Sequence, residues 1–235
     1  MPEPATPTEL AAPPEPVAPP EPVEGRVVLA TNNAKKLDEL RRIVAAAAPG
    51  VQVLALADVA PYPEPAETEQ TFEGNALLKA RACVAATGLP AVADDSGLAV
   101  DRLNGMPGVR SARWSGPEAT DAENNALLLR QLFDLQDAEQ RRSQFVCAMA
   151  LVLPDGTEHV RLGVLPGHLR ATPAGENGFG YDPLFVADGQ QSTTAELDAT
   201  AKDAISHRGQ AIRALVPVLV EELRRTAGPA GEDRP

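Results

Sequence analysis

Lysine is scarce in this 235-residue chain: only Lys35, Lys36, Lys79 and Lys202 occur, beside 17 arginines. Aromatic side chains are scarcer still, at 3%. The two cysteines, Cys83 and Cys147, are too few for a disulfide framework and lack metal-ligand spacing, so both read as reduced small hydrophobes. No apolar run approaches the ~20 residues that span a bilayer, and the first residues have neither a basic start nor an apolar signal core. A cytoplasmic protein without membrane contact is expected. The net charge of −12 leaves no broad basic face for neutralising nucleic-acid phosphates, so nucleic acid is not an expected partner. A small anion held in a local basic pocket is compatible with that balance.

Residues 1–25 hold nine prolines and five glutamates and neither Lys nor Arg. Such a segment cannot bury enough apolar surface to offset chain entropy, and a disordered tail is predicted. Residues 226–235 are also rich in Gly and Pro and are predicted to be flexible. Residues 26–225 remain as one domain.

Within that domain, Arg26 to Ala30 reads as a buried strand that turns at Thr31-Asn32-Asn33. Leu37, Leu40, Ile43 and Val44 then recur at helical spacing. A second helix is predicted from Phe72 to Thr87, stopped by Gly88. Leu89 to Ala93 reads as a buried strand, with Asp94 and Asp95 where it ends. Thr120-Asp121-Ala122-Glu123 has the form of a capping box. Gln144–Leu153 and His159–Leu165 flank Pro154-Asp155-Gly156-Thr157, a strong hairpin signal. A last helix is predicted from Ser206, kinked at Pro217, which lacks an amide donor. Alternating helices and strands with one hairpin predict an α/β domain with a mixed sheet.

Four segments carry chemistry. Thr31 to Lys36 joins a strand end to a helix start, where free amides and two ammonium groups suit an anion. Lysine is unfavourable at that end of a helix unless something negative sits there. No P-loop motif occurs. Asp94 and Asp95 repel each other, so an oxygen-preferring divalent cation such as Mg²⁺ is a natural partner, and strand alternation sends them to opposite sides. Ser96 lacks the glycine context of a serine nucleophile. Gly178 to Phe185 gathers three of the seven Phe and Tyr residues around two glycines, an arrangement that admits a flat ligand. Ser206-His207-Arg208-Gly209 offers several donors suited to an oxo group or a phosphate. His159 and His168 read as structural.

Together the segments VVLATNNAKKLDEL, TFEGNALLKARA, ADDSGLAVDRLNGMPGVRSARWSG, GFGYDPLF and KDAISHRGQA resemble the inosine triphosphate pyrophosphatase family, in the right order from Val27 to Leu219. The resemblance implies an elongated mixed sheet with flanking helices and two lobes around a central cleft, as a homodimer. It implies Mg²⁺-dependent hydrolysis of ITP, dITP or XTP to the monophosphate and pyrophosphate, which cleanses the nucleotide pool. Carried over by position, Thr31, Asn32, Asn33, Ala34, Lys35 and Lys36 would bind phosphates, with Lys79 a further cation of the cleft. Glu67 and Asp95 would hold the metal, with Asp95 the base for the attacking water, and Ser96 would contact substrate. Phe179, Gly180, Tyr181 and Asp182 would embrace the purine. Lys202, His207 and Arg208 would read its 6-oxo edge or the nearby sugar and phosphates. The first loop has Asn32 and Lys35 where that family often has glycine. Two alternatives stay open: a related pyrophosphatase for pyrimidine or modified canonical nucleotides, and a nucleotide-binding module without catalysis.

Overall fold

The computed structural model describes residues 24–227. Its centre is one six-stranded mixed sheet in the order β2-β1-β3-β4-β5-β6. β1 (Gly25–Leu29) and β2 (Val51–Leu54) are parallel, as are β1 and β3 (Ala91–Val100). β4 (Arg142–Val152), β5 (Glu158–Leu169) and β6 (Phe185–Ala187) continue it antiparallel. Among the described residues five α-helices accompany the sheet. They are α1 (Ala34–Ala47), α2 (Phe72–Thr87), α3 (Asp121–Gln131), α4 (Ala199–Ile205) and α5 (His207–Ala227).

Folded elements run from Gly25 to Ala227, slightly past the 26–225 limits; residues 1–23 and 228–235 of the assigned tails lie outside the described residues. Among the described residues no helix is long and apolar enough to cross a membrane.

Side-chain alternation builds two core layers on the sheet. Val27, Leu29 and Val92 face α1 and α5, where Leu40, Val44, Ile212 and Leu215 meet them. Val28, Ala91 and Ala93 face α2, whose Ala76, Ala80 and Cys83 are small enough to let the helix lie close. A third cluster forms at the far end of the long strands, around Leu98, Phe145, Leu169, Phe185 and Leu128 of α3. The strands β3 and β4 thus run through packed regions at both ends of the sheet.

Local signals explain the element ends. Thr71 caps α2 by accepting from the Gly74 amide, and Gly88 stops it at φ 67, the left-handed conformation that glycine adopts freely. Thr120 and Glu123 form the capping box of α3. The hairpin turn closes with the Leu153 amide donating to the Thr157 carbonyl at 2.9 Å. α5 runs unbroken through Pro217, which lies on its exposed side, where water can satisfy the freed carbonyl.

The strand expected to end at Asp94 continues to Val100. Only its parallel ladder with β1 stops, at Val92, while pairing with β4 carries on through Asp94 and Asp95. The carboxylates therefore lie inside a strand with one edge newly free. Apolar content identifies where a strand is buried on both faces, not where hydrogen bonding ends.

Candidate active site

The crevice opens beyond the carboxyl end of β1, a usual ligand position in open α/β sheets. A cleft of about 490 Å³ lies there, walled by the start of α1, Ser96 of β3, Phe145 of β4, the loop at Phe179 to Asp182, and Lys202, His207 and Arg208.

The turn into α1 is built by Asn33, whose side chain accepts from the Lys35 and Lys36 amides. Thr31 Oγ1 accepts from the Asn33 amide at 3.3 Å, and Asn32 donates to Glu64 at 2.9 Å. No acidic side chain occupies the first turn of α1, so its positive end faces the cleft without compensation from its own sequence. Lys36 reaches Asp94 at 2.9 Å. Lys35 turns the other way: its ammonium donates to the Gly178 carbonyl at 2.9 Å and lies 5.6 Å from the Phe179 ring centroid. It ties the first loop to the aromatic loop.

Asp94 and Asp95 occupy opposite faces of β3, as alternation requires. Asp94 is buried against Lys36 and Arg208, with Ser96 Oγ donating to it at 3.4 Å. Burial works to raise its pKa, but Lys36, Arg208 and Lys79 outweigh that and hold the carboxyl well below the usual range. Arg208 also donates to Glu39 of α1 at 3.1 Å and to Ser96 at 2.9 Å. Three of its five N–H groups are thereby engaged.

Asp95 faces α2, accepting from Asn75 Nδ2 at 2.9 Å and from the Ser96 amide at 3.0 Å. Burial raises its pKa, and Lys79 and Asn75 only partly oppose this. Lys79 donates to Glu67 at 2.9 Å, and Arg113 donates to the other Glu67 oxygen at 2.6 Å. Glu67 is held below its ordinary range by both cations in spite of burial. Lys79, Glu67 and Asp95 thus form a cluster on the α2 side and do not line the cleft of Lys36 and Phe179. Among the described residues no group of three or more His, Cys, Asp or Glu side chains gathers as a metal cage.

At the other wall, Phe179 lies under three cations, with Lys35, Lys202 and Arg208 at 5.6, 5.2 and 5.5 Å from its centroid. Asp182 is buried, taking the Phe179 amide at 2.8 Å, Thr194 Oγ1 at 2.8 Å and the Lys202 ammonium. Tyr181 turns inward and donates its hydroxyl to the Ser111 carbonyl at 2.9 Å. His207 stacks on Phe145 with centroids 4.9 Å apart, and its buried Nδ1 has no partner among the described residues. Burial, with Arg208 and Lys202 beside it, holds the imidazole neutral well below 6.5. His159, by contrast, pairs with Glu222 at 2.8 Å away from this cleft.

Sequence reasoning missed Glu39, Asn75, Arg113, Asp121 and Phe145. Asn75 had a signal, since it precedes Lys79 by one helical turn on a face otherwise made of small residues. Glu39 had none: a glutamate beside Leu40 reads as solvated until α5 arrives with Arg208.

The model of the Ham1 family matches residues 27–218. A dITP/XTP pyrophosphatase of Nocardia farcinica is 61% identical over 202 residues, covering 86% of this chain and 98% of its own. Among solved structures, a HAM1 protein from Coxiella burnetii is 41% identical with a TM-score of 0.76, covering 83% of this chain and 98% of that one. A nucleoside-triphosphatase, dITP/XTP pyrophosphatase from Mycobacterium abscessus is 54% identical with a TM-score of 0.69, at 82% and 99% coverage. The segments around the cleft all fall inside the matched span, and the chain belongs to the Ham1 family.

Proposed function

We propose that this chain hydrolyses non-canonical purine nucleoside triphosphates, ITP, dITP and XTP, to the monophosphate and pyrophosphate. One observation carries the proposal: an anion-ready helix start and an aromatic face among cations meet across one cleft where β1 ends, with the carboxylate of Asp95 on the α2 side of the neighbouring strand. The names of the relatives support it.

In this reading Asn33 and Lys36 bind the phosphates, and Lys36 exchanges part of its pairing with Asp94 for the incoming anion. Thr31, Asn32 and Ala34 shape that turn, and Lys35 braces the aromatic loop. The purine stacks on Phe179. Lys202, His207 and Arg208 face its 6-oxo edge, while both Asp182 oxygens and Asp121 Oδ2 already hold donors. Adenine would bring a 6-amino donor against donors and be rejected.

Asp95 takes the proton of the attacking water. Asn75 fixes the plane of that carboxylate, because its own amide is oriented by the Glu69 amide donating to Oδ1 at 3.0 Å. Glu67 and Asp95 are hard oxygen donors on one side of β3, and burial keeps the pKa of Asp95 raised although Lys79 and Asn75 oppose it. Two carboxylates plus substrate phosphates match how Mg²⁺ is bound, so the donor set fits. When bound, the ion would neutralise phosphate charge and acidify water. Glu67 and Asp95 would hold the ion, with Lys79, which donates to Glu67, as the counter-charge beside them. Residues 26–225 act as one catalytic domain. A cytoplasmic location accords with the two free cysteines, and a homodimer would cover Leu162 and Val164, exposed on β5.

Purified protein with Mg²⁺ is incubated with ITP, dITP, XTP, GTP, ATP and dTTP, and pyrophosphate is separated from phosphate. Fast release of pyrophosphate from the first three is expected. Comparable turnover of ATP or dTTP, or release of phosphate alone, refutes the assignment.

A further inference from the structure

The loop that carries Phe179 is soft by composition. Gly178 and Gly180 flank the ring at φ 79 and 63, conformations that glycine enters and leaves without steric penalty. A stacking face needs a fixed position; part of the fixing is internal, where the Phe179 amide donates to Asp182 at 2.8 Å, and part is the Lys35 bond to the Gly178 carbonyl.

The grip on Gly180 comes from α3. Asp121 accepts from the Gly180 amide at 2.6 Å, and Asn125 donates from Nδ2 to the Gly180 carbonyl at 2.9 Å. Positions four apart share a helix face, so two side chains of one helix grip both polar groups of one residue. The helix itself is anchored by Leu128, buried in the far core, and its capping box does not involve the Asp121 side chain. Asn125 is buried, and its Oδ1 has no partner among the described residues. An unpaired buried oxygen is destabilising, and an apolar side chain of the same size would avoid it. What leucine could not do there is donate to Gly180.

We propose that Asp121 and Asn125 are positioning residues for the nucleobase slot: by clamping Gly180 they set the Phe179 face and thereby the affinity for the base. This rests on the proposed function, in which the purine stacks on Phe179.

Wild type, Asp121→Ala, Asp121→Asn and Asn125→Leu are compared in two assays. Hydrogen exchange at the 178–184 segment of the free protein reads the clamp without substrate. Titrations with IMP and with pyrophosphate, beside kcat and KM for ITP, read its consequence. Losing one hydrogen bond to a charged group corresponds to about tenfold in an equilibrium. Asp121→Ala is therefore expected to speed exchange at Gly180 and to weaken IMP binding and raise KM for ITP by about tenfold each, with pyrophosphate affinity unchanged. Asn125→Leu moves the same quantities in the same direction. Asp121→Asn loses clearly less than Asp121→Ala, because an amide oxygen still accepts although the charge is gone.

Unchanged exchange in both Asp121→Ala and Asn125→Leu overturns the clamp. So does a parallel loss of IMP and pyrophosphate affinity, or an Asp121→Asn as impaired as Asp121→Ala, which would make charge the operative feature. Failure of the wild type to bind IMP would instead refute the proposed function, while the exchange result would still judge the clamp.

Discussion

Replacing either of two adjacent aspartates by asparagine is the same chemical change, yet the structure assigns the two changes opposite effects on stability. Asp94 is buried between Lys36 at 2.9 Å and Arg208 at 3.3 Å, and its pKa is depressed. Its ionised form therefore stabilises the fold at neutral pH. Breaking a buried pair by removing one partner costs about 3–5 kcal/mol. Two features favour the lower end: Glu39 remains on Arg208, and Lys36, with its side chain 17% exposed, can turn to water. A loss of about 3 kcal/mol corresponds to roughly 6–12 °C in Tm for a domain of this size. Asp95 has a raised pKa, so its ionised form opposes folding, and Asp95→Asn leaves stability at or above the wild-type value while turnover is lost. Urea unfolding followed by the single tryptophan, Trp114, measures both. The Asp94→Asn deficit should hold through neutral pH and shrink only below about pH 4, where the unfolded carboxyl protonates. Equal destabilisation by the two variants, or a deficit that grows on acidification, refutes this account of the charges.

Lys36→Ala is expected to weaken binding of the triphosphate more than of the monophosphate, read by titration; equal losses would remove Lys36 from the phosphate site. His207 is held neutral well below 6.5, so from that pH downward the unfolded chain takes a proton that the folded one refuses. Wild-type stability should therefore fall by up to about 1.4 kcal/mol per pH unit more than that of His207→Gln between about pH 6.5 and 5; parallel slopes would contradict it. At Gly163 an added methyl would run into the His207 backbone carbonyl. Gly163→Ala should push α5 off β5, costing several kcal/mol and most of the activity, whereas a wild-type Tm would show that the contact yields.

Much of the fold was legible because local chemistry is written in short windows. The end of α2 follows from Gly88, the capping box of α3 from Thr120 and Glu123, and the β4–β5 hairpin from the turn at Pro154 to Thr157. Period-two alternation likewise placed Asp94 and Asp95 on opposite faces. Two walls of the cleft were legible too, since helix-start lysines and an aromatic-glycine cluster are each unusual enough to stand out in a chain poor in lysine and aromatics.

The partners were decided by tertiary structure. Sequence marks Lys35 and Lys36 as twins, but one helical step turns the first to Gly178 and the second to Asp94. Glu39, Asn75 and Asp121 became site residues only when Arg208, Asp95 and Gly180 arrived from distant segments. The same packing set the two aspartates apart: a carboxyl's pKa depends on which charges lie within a few ångströms, and chain neighbours share none of that information. Sequence determined which charges are present and on which face of a strand or helix they stand; the fold determined which of them meet.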